Sequence, residues 1–168
     1  MTDGTVDDEW AWVDDDTDWV PPASDTGKPS VARMYDYFLG GKDHYAVDRA
    51  AADRVAAVLG PGLRDGVLEN RAFVRRAVRW IAGQGIDQYL DLGVGLPAQG
   101  NVHEFAQDVV PGARVVYVDN DPIVLAHGRA LLADDRTVQV FTGDLRRPEE
   151  ILKNPITGQL IDLTRPVA

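Results

Sequence analysis

The chain has 168 residues, 45% of them apolar, a net charge of −10 and no cysteine. That length suits one compact domain with a real core, and the missing cysteines exclude a disulfide framework, a thiolate metal site and a cysteine nucleophile. No apolar run approaches the roughly 18 residues of a membrane span and the N-terminus is acidic, so a soluble cytoplasmic protein with no membrane partner is expected.

The charge is concentrated at one end. Asp3, Asp7, Asp8, Glu9, Asp14, Asp15, Asp16 and Asp18 precede the first base, and setting those eight aside leaves 19 acids against 17 bases. Residues 1–29 therefore read as an acidic, disordered tail and linker, with Pro21, Pro22, Gly27 and Pro29 breaking any regular structure. Trp10, Trp12 and Trp19 leave open a second reading, a docking peptide for a basic or apolar partner. The near-neutral remainder lacks the basic face that nucleic-acid binding needs.

Residues 30–84 predict a helical cap. Ser30 suits an N-cap, and Val31, Met34, Tyr35 and Phe38 recur at helical spacing until Gly40-Gly41. Lys42-Asp43-His44-Tyr45 is a polar connection, in which His44 and Tyr45 are candidates for a lid or for ordinary packing between helices. A second helix is expected from Val47 to Leu59. A third runs from Val67 to Ala82, with Leu68, Phe73, Val74, Ala77, Val78 and Ile81 inward and Arg71, Arg75, Arg76 and Arg79 mainly on the other side, read as a solvated face in preference to a phosphate-binding patch.

From residue 85 onward strands alternate with helices. Ile86–Leu92, Val115–Asp119 and Thr137–Thr142 read as strands, and Asn101–Val109, Asp121–Ala133 and Pro148–Lys153 as helices. Asp121-Pro122 forms a cap and first turn. Arg165-Pro166-Val167-Ala168 reads as the approach to a further strand. The alternation predicts an α/β fold with a doubly wound, Rossmann-like parallel sheet preceded by N-terminal helices.

Three acids end or follow the three strands: Asp91, Asp119 and Asp144. Gly93-x-Gly95-x-x-Ala98 matches a dinucleotide fingerprint, a weak signal alone. Asp91 would repel a pyrophosphate and attract an ammonium or sulfonium, and Pro97 removes an N–H that a phosphate would use. S-adenosylmethionine has those cations and no phosphate. Asp119 suits ribose hydroxyls, with helix capping as its alternative, and Asp144 suits an adenine amino group, with its neighbour Leu145 offering backbone, or simply a turn. His103 and His127 read as surface or packing residues, and no metal is expected.

The chain also resembles a known family. Ser30-Val31-Ala32-Arg33-Met34-Tyr35-Asp36-Tyr37-Phe38-Leu39-Gly40-Gly41-Lys42-Asp43, Asn70-Arg71-Ala72-Phe73, Asp91-Leu92-Gly93-Val94-Gly95-Leu96-Pro97, Gln99-Gly100-Asn101-Val102-His103-Glu104 and Val116-Tyr117-Val118-Asp119-Asn120-Asp121-Pro122 are similar to the motifs of an S-adenosyl methyltransferase family long known only as a domain of unknown function. The resemblance implies a class I methyltransferase, S-adenosyl-L-methionine as cofactor and a small-molecule methyl acceptor. It places Asp91, Gly93 and Gly95 along the methionine part, Asp119 and Asn120 at the ribose, and Asp144 with Leu145 at the adenine. Sheets of this class normally have seven strands, whereas this chain ends where a fourth would begin. Residues 85–168 are thus expected to be the first part of the domain in a truncated chain, with the first strand exposed as an apolar edge open to self-association. A non-catalytic cofactor-binding module and an NAD(P)-dependent oxidoreductase are the rival readings, the latter disfavoured by Asp91 and Pro97.

Overall fold

A computed structural model describes residues 26–168 apart from Gln99 and Asp135. The acidic tryptophan segment lies outside those residues. Three helices come first: α1 (Val31–Leu39), α2 (Ala46–Leu59) and α3 (Leu63–Gly83). Ser30 stands at the N-terminus of α1 as its sequence position predicts, but its hydroxyl does not cap that helix. It donates instead to Asp121 Oδ2 at 2.7 Å, while its N–H donates to Asp48 Oδ1 at 2.9 Å. One small residue thereby ties the helical cap to the loop after the second strand.

Asp48 is fully buried and also accepts from Arg33 Nε and the Tyr45 N–H, both at 2.8 Å. Burial alone would raise its carboxyl, but hydrogen bonds from Arg33, Tyr45 and Ser30 hold it below the ordinary value. A buried charge is tolerated when its lone pairs are satisfied in this way.

Helix α3 starts four residues before the expected Val67, and its inward face differs from the one read from sequence. Val67, Val78 and Ala82 are buried, whereas Leu68 and Phe73, expected inside, are 46% and 60% exposed. The stripe that faces the protein runs Val67, Arg71, Val74, Val78, at i+4 and i+3 intervals. Arg71 therefore lies on the inner side of the helix, not on the solvated one.

The sheet contains β1 (Gln88–Leu92), β2 (Arg114–Asp119) and β3 (Val138–Thr142), all parallel, in the order β1-β2-β3. The register pairs Asp91 with Tyr117 and Asp119 with Thr142, so the strands end together. Helices α3, α4 (Val102–Gln107) and α5 (Pro122–Leu131) cover one face, burying Val78, Ala106 and Leu125 against Tyr89, Val115, Tyr117 and Val140. Helices α6 (Pro148–Leu152) and α7 (Pro155–Leu160) cover the other, through Ile151 and Leu160 on Val116, Val118 and Phe141. A sheet covered on both faces explains the β-branched runs of its strands, each buried valine contributing roughly 1.5–3 kcal/mol.

Helix α7 is an element beyond those read from sequence. Asn154 accepts from the Ile156 N–H at 2.9 Å and Pro155 takes the first helical position, an N-cap pair visible in the chain. The final residues then return to β1. The Ala168 N–H donates to Gln88 O at 3.1 Å and the Leu90 N–H to Ala168 O at 2.8 Å, a parallel bridge on the edge opposite β2. The edge expected to lie open is thus engaged at its start, while Leu92 is 48% exposed. Among the described residues, no helix is long and apolar enough to cross a membrane.

Candidate functional site

The loops after the three strands, together with α1 and α3, line a cleft of about 700 Å³. Its position at the carboxyl ends of parallel strands is where open α/β sheets place ligands. Asp91, Gly93, Gly95, Asp119, Asn120, Asp144 and Leu145 all line it. His44 and Tyr45 do not. His44 Nδ1 lies 3.0 Å from Asp36 Oδ2 with its ring edge-on to Tyr37, and Tyr45 precedes α2 with the Arg33 guanidinium 5.4 Å from its ring centre.

The glycine turn follows β1 directly. Gly93 (φ 76°) and Gly95 (φ 68°) are in the left-handed region, which side-chain-bearing residues rarely adopt. The Gly93 N–H donates to Val118 O at 2.8 Å and the Gly95 N–H to Asp119 Oδ2 at 2.9 Å. Asp119 Oδ1 in turn accepts from the Asp121 N–H at 2.9 Å. Asp119 thus orders both loops with one lone pair of each oxygen, and a second on each is left unused by these bonds. Helix capping falls to Asp121, whose Oδ1 accepts from the Ile123 N–H at 2.9 Å.

Asp91 shares its face of the sheet with Tyr89 and Tyr117. Burial pushes its carboxyl up to about 6, a shift that Arg71 opposes and Asp119 reinforces. Beneath it, Tyr117 is fully buried and its hydroxyl lies 2.8 Å from His103 Nδ1 and accepts from the His103 N–H at 2.9 Å. Burial raises the Tyr117 phenol and lowers the His103 imidazole, and the two rings pack edge-on with centres 5.9 Å apart. His127 likewise packs on its own helix, with Nδ1 2.9 Å from Ile123 O.

Asp144 sits at the rim, gripped by Arg146 through Nε at 2.9 Å and Nη2 at 2.6 Å. That guanidinium, with the Arg146 N–H, pulls the Asp144 carboxyl down to about 2. Leu145 beside it is 52% exposed.

The helical cap contributes lining residues that the strand-end motifs did not suggest: Tyr35, Asn70 and above all Arg71. Asn70 Nδ2 donates to the Tyr35 hydroxyl at 3.0 Å, which donates to Val67 O at 3.3 Å. Arg71 Nη2 donates to Gly100 O at 2.6 Å, bracing the loop between the glycine turn and α4. The signal for Arg71 was present in its spacing from Val67, Val74 and Val78.

Fold and cleft define a Rossmann-like α/β protein with a small-molecule-sized cleft at the carboxyl ends of its strands. The profile of the S-adenosyl methyltransferase family matches residues 17–168, and the chain belongs to that family. The chain is similar to a crystal structure of a "putative methyltransferase" from Thermobifida fusca YX, at 54% identity over 89% of this chain and 56% of that one, with a TM-score of 0.82. It is also similar to a DUF574 family protein from Streptomyces avermitilis MA-4680, at 44% identity over 85% of this chain and 55% of that one, with a TM-score of 0.80. The chain therefore spans little more than half the length of these solved proteins. No curated protein matches it.

The family implies S-adenosyl-L-methionine as cofactor, and the donor set of the cleft fits it. Asp119 keeps a lone pair on each carboxylate oxygen that the glycine turn and the Asp121 N–H do not use, Asp91 brings a carboxyl into the cleft, and the helix that follows the glycine turn, α4, has its first N–H taken by an acid. Before α4 the Asn101 N–H donates to Glu104 Oε2 at 2.6 Å, which removes one of the donors a phosphate would use there and sets an acid beside the rest.

Proposed function

We propose that the chain forms the cofactor-holding part of an S-adenosylmethionine-dependent methyltransferase acting on a small-molecule acceptor. The observation that carries this reading is the convergence of Asp91, the Gly93–Gly95 turn and Asp119 on one cleft whose adjoining helix start is capped by Glu104. When bound, the cofactor supplies an electrophilic methyl group on a sulfonium. The chain supplies binding, orientation and exclusion of water, which are the main needs of an in-line displacement.

In this reading Asp91 offers its carboxylate to the α-ammonium. Asp119, already fixed by two backbone N–H groups, accepts from the ribose diol, with Asn120 alongside. Leu145 gives the adenine ring an apolar contact, and Asp144 meets its amino group by sharing the lone pairs that Arg146 engages. Tyr35 and Asn70 face the same cleft from the helical cap, and its volume is that of a small-molecule site. The acids in the cleft count against a dinucleotide, whose pyrophosphate they would repel.

Calorimetric titration of the full chain with S-adenosylmethionine, S-adenosylhomocysteine and NAD tests the reading. The first two should bind and NAD should not. Asp119→Asn should weaken S-adenosylhomocysteine by about tenfold, the scale of one charge-assisted hydrogen bond. Binding of NAD with no binding of the other two would overturn the proposal.

A further inference from the structure

We propose that Arg71 and Asp91 form a zwitterion clamp, in which Arg71 holds the α-carboxylate and Asp91 the α-ammonium of the ligand's amino-acid end. This rests on the cofactor reading above and goes beyond it by assigning Arg71, a residue of α3, a binding role.

The charges of the cleft leave a carboxylate little choice. Asp36, Asp91, Asp119, Asp121 and Asp144 line it, against Arg71 and Arg146 as the bases. Arg146 is spent at the rim on Asp144, with its side chain 85% exposed. Arg71 is partly buried and sits on the inward stripe of α3, where the packing of Val67, Val74 and Val78 fixes its direction. Its bond to Gly100 O uses one end of the guanidinium, and among the described residues it makes no other hydrogen bond. A guanidinium has five N–H donors in a planar fork, so the anchored group retains donors suited to a carboxylate.

Asp91 and Arg71 sense each other's charge, yet they make no ion pair. Two opposite charges that share a cleft without touching are complementary to a zwitterion placed between them. Neither is then left facing an unmatched charge, and the ligand's own two charges lie beside opposite partners. An ammonium alone would satisfy Asp91 and leave Arg71 idle.

The test compares three ligands on the full chain by calorimetry: S-adenosylhomocysteine, its decarboxylated form S-adenosyl-3-thiopropylamine, and 5′-methylthioadenosine, which lacks the whole amino-acid end. Wild type should prefer S-adenosylhomocysteine over the decarboxylated form by tenfold or more. Arg71→Met should bring that ratio to within about twofold of unity; it also releases Gly100 O, and any weakening from that lost brace should fall equally on methylthioadenosine and cancel from the ratio. Arg71→Lys keeps the charge and loses the fork, so it should lower the ratio several-fold in a protein that folds readily. A wild type without preference, or a full preference kept by either variant, overturns the clamp. If wild type binds neither S-adenosylhomocysteine nor methylthioadenosine, the cofactor reading falls and the clamp with it.

Discussion

Asp91 meets opposite demands with and without a ligand. Its carboxyl, raised to about 6 by burial, binds a proton more tightly in the folded chain than in the unfolded one, where its value is near 3.8. The sign follows from linkage: the fold loses stability as pH rises from about 4 to about 6, because the ionised carboxylate must then stay in its desolvated place. The shift corresponds to roughly 2–3 kcal/mol. Asp91→Asn should therefore be more stable than wild type at pH 7 without ligand and equal to it below pH 4, as read by urea melts across that range. Binding should move the other way. Wild-type affinity for S-adenosylhomocysteine should fall as pH drops through about 6, and the Asn variant should bind weakly at every pH. At the same scale, the Gly40-Gly41-Lys42-Asp43-His44 signature is a loop folded round one carboxylate. Asp36 Oδ2 accepts from the Asp43 N–H at 2.9 Å, and a Cβ on Gly41 would collide with the Asp36 side chain. Gly41→Ala should cost about 1–3 kcal/mol in a denaturant melt.

Strand β1 serves two edges and two functions. Its carboxyl end presents Asp91 to the cleft, and its amino end anchors the chain's return after α7. The anchor is Gln88, fully buried, whose Nε2 donates to Asp162 O at 2.8 Å and Pro166 O at 3.1 Å. Its Oε1 accepts from the Asp162 N–H at 2.9 Å and from Arg114 Nη2 at 3.2 Å. One amide therefore holds three backbone groups of the connection. Gln88→Ala should cost about 2–3 kcal/mol, because three backbone groups of the connection lose their partners and a fully buried side chain is removed, and should loosen residues 162–168 in hydrogen exchange. Arg165→Ala, which removes the exposed ion pair to Asp87 at 2.7 Å, should give no resolvable loss. Helix α3 shows what sequence patterning leaves undecided. Its arginines alternate with apolar residues around much of the helix, so two faces compete for the core. Tertiary contacts chose the face of Val67 and Val78, which exposed Phe73 and turned Arg71 inward.

At the scale of the whole molecule, the three parallel strands and the cleft at their ends were largely legible in the chain. Val115-Val116-Tyr117-Val118 reads as a doubly covered strand. Asp91, Gly93, Gly95 and Asp119 carry the turn and the acids that meet at its end. Less legible were contacts between distant segments: Ser30 on Asp121, Gln88 on residues 162–166, and Arg71 on Gly100. Each is a polar side chain whose partner is a backbone group or capping acid far along the chain, and no periodicity records such a partner. The helical cap and the sheet therefore share one site, with Arg71 from the first and Asp91 and Asp119 from the second. A crystal structure of the full chain with S-adenosylhomocysteine tests that claim most directly. The account predicts ribose hydroxyls on Asp119 and the amino-acid end between Asp91 and Arg71. Ligand bound outside this cleft, or inside it with the ribose away from Asp119, would contradict it.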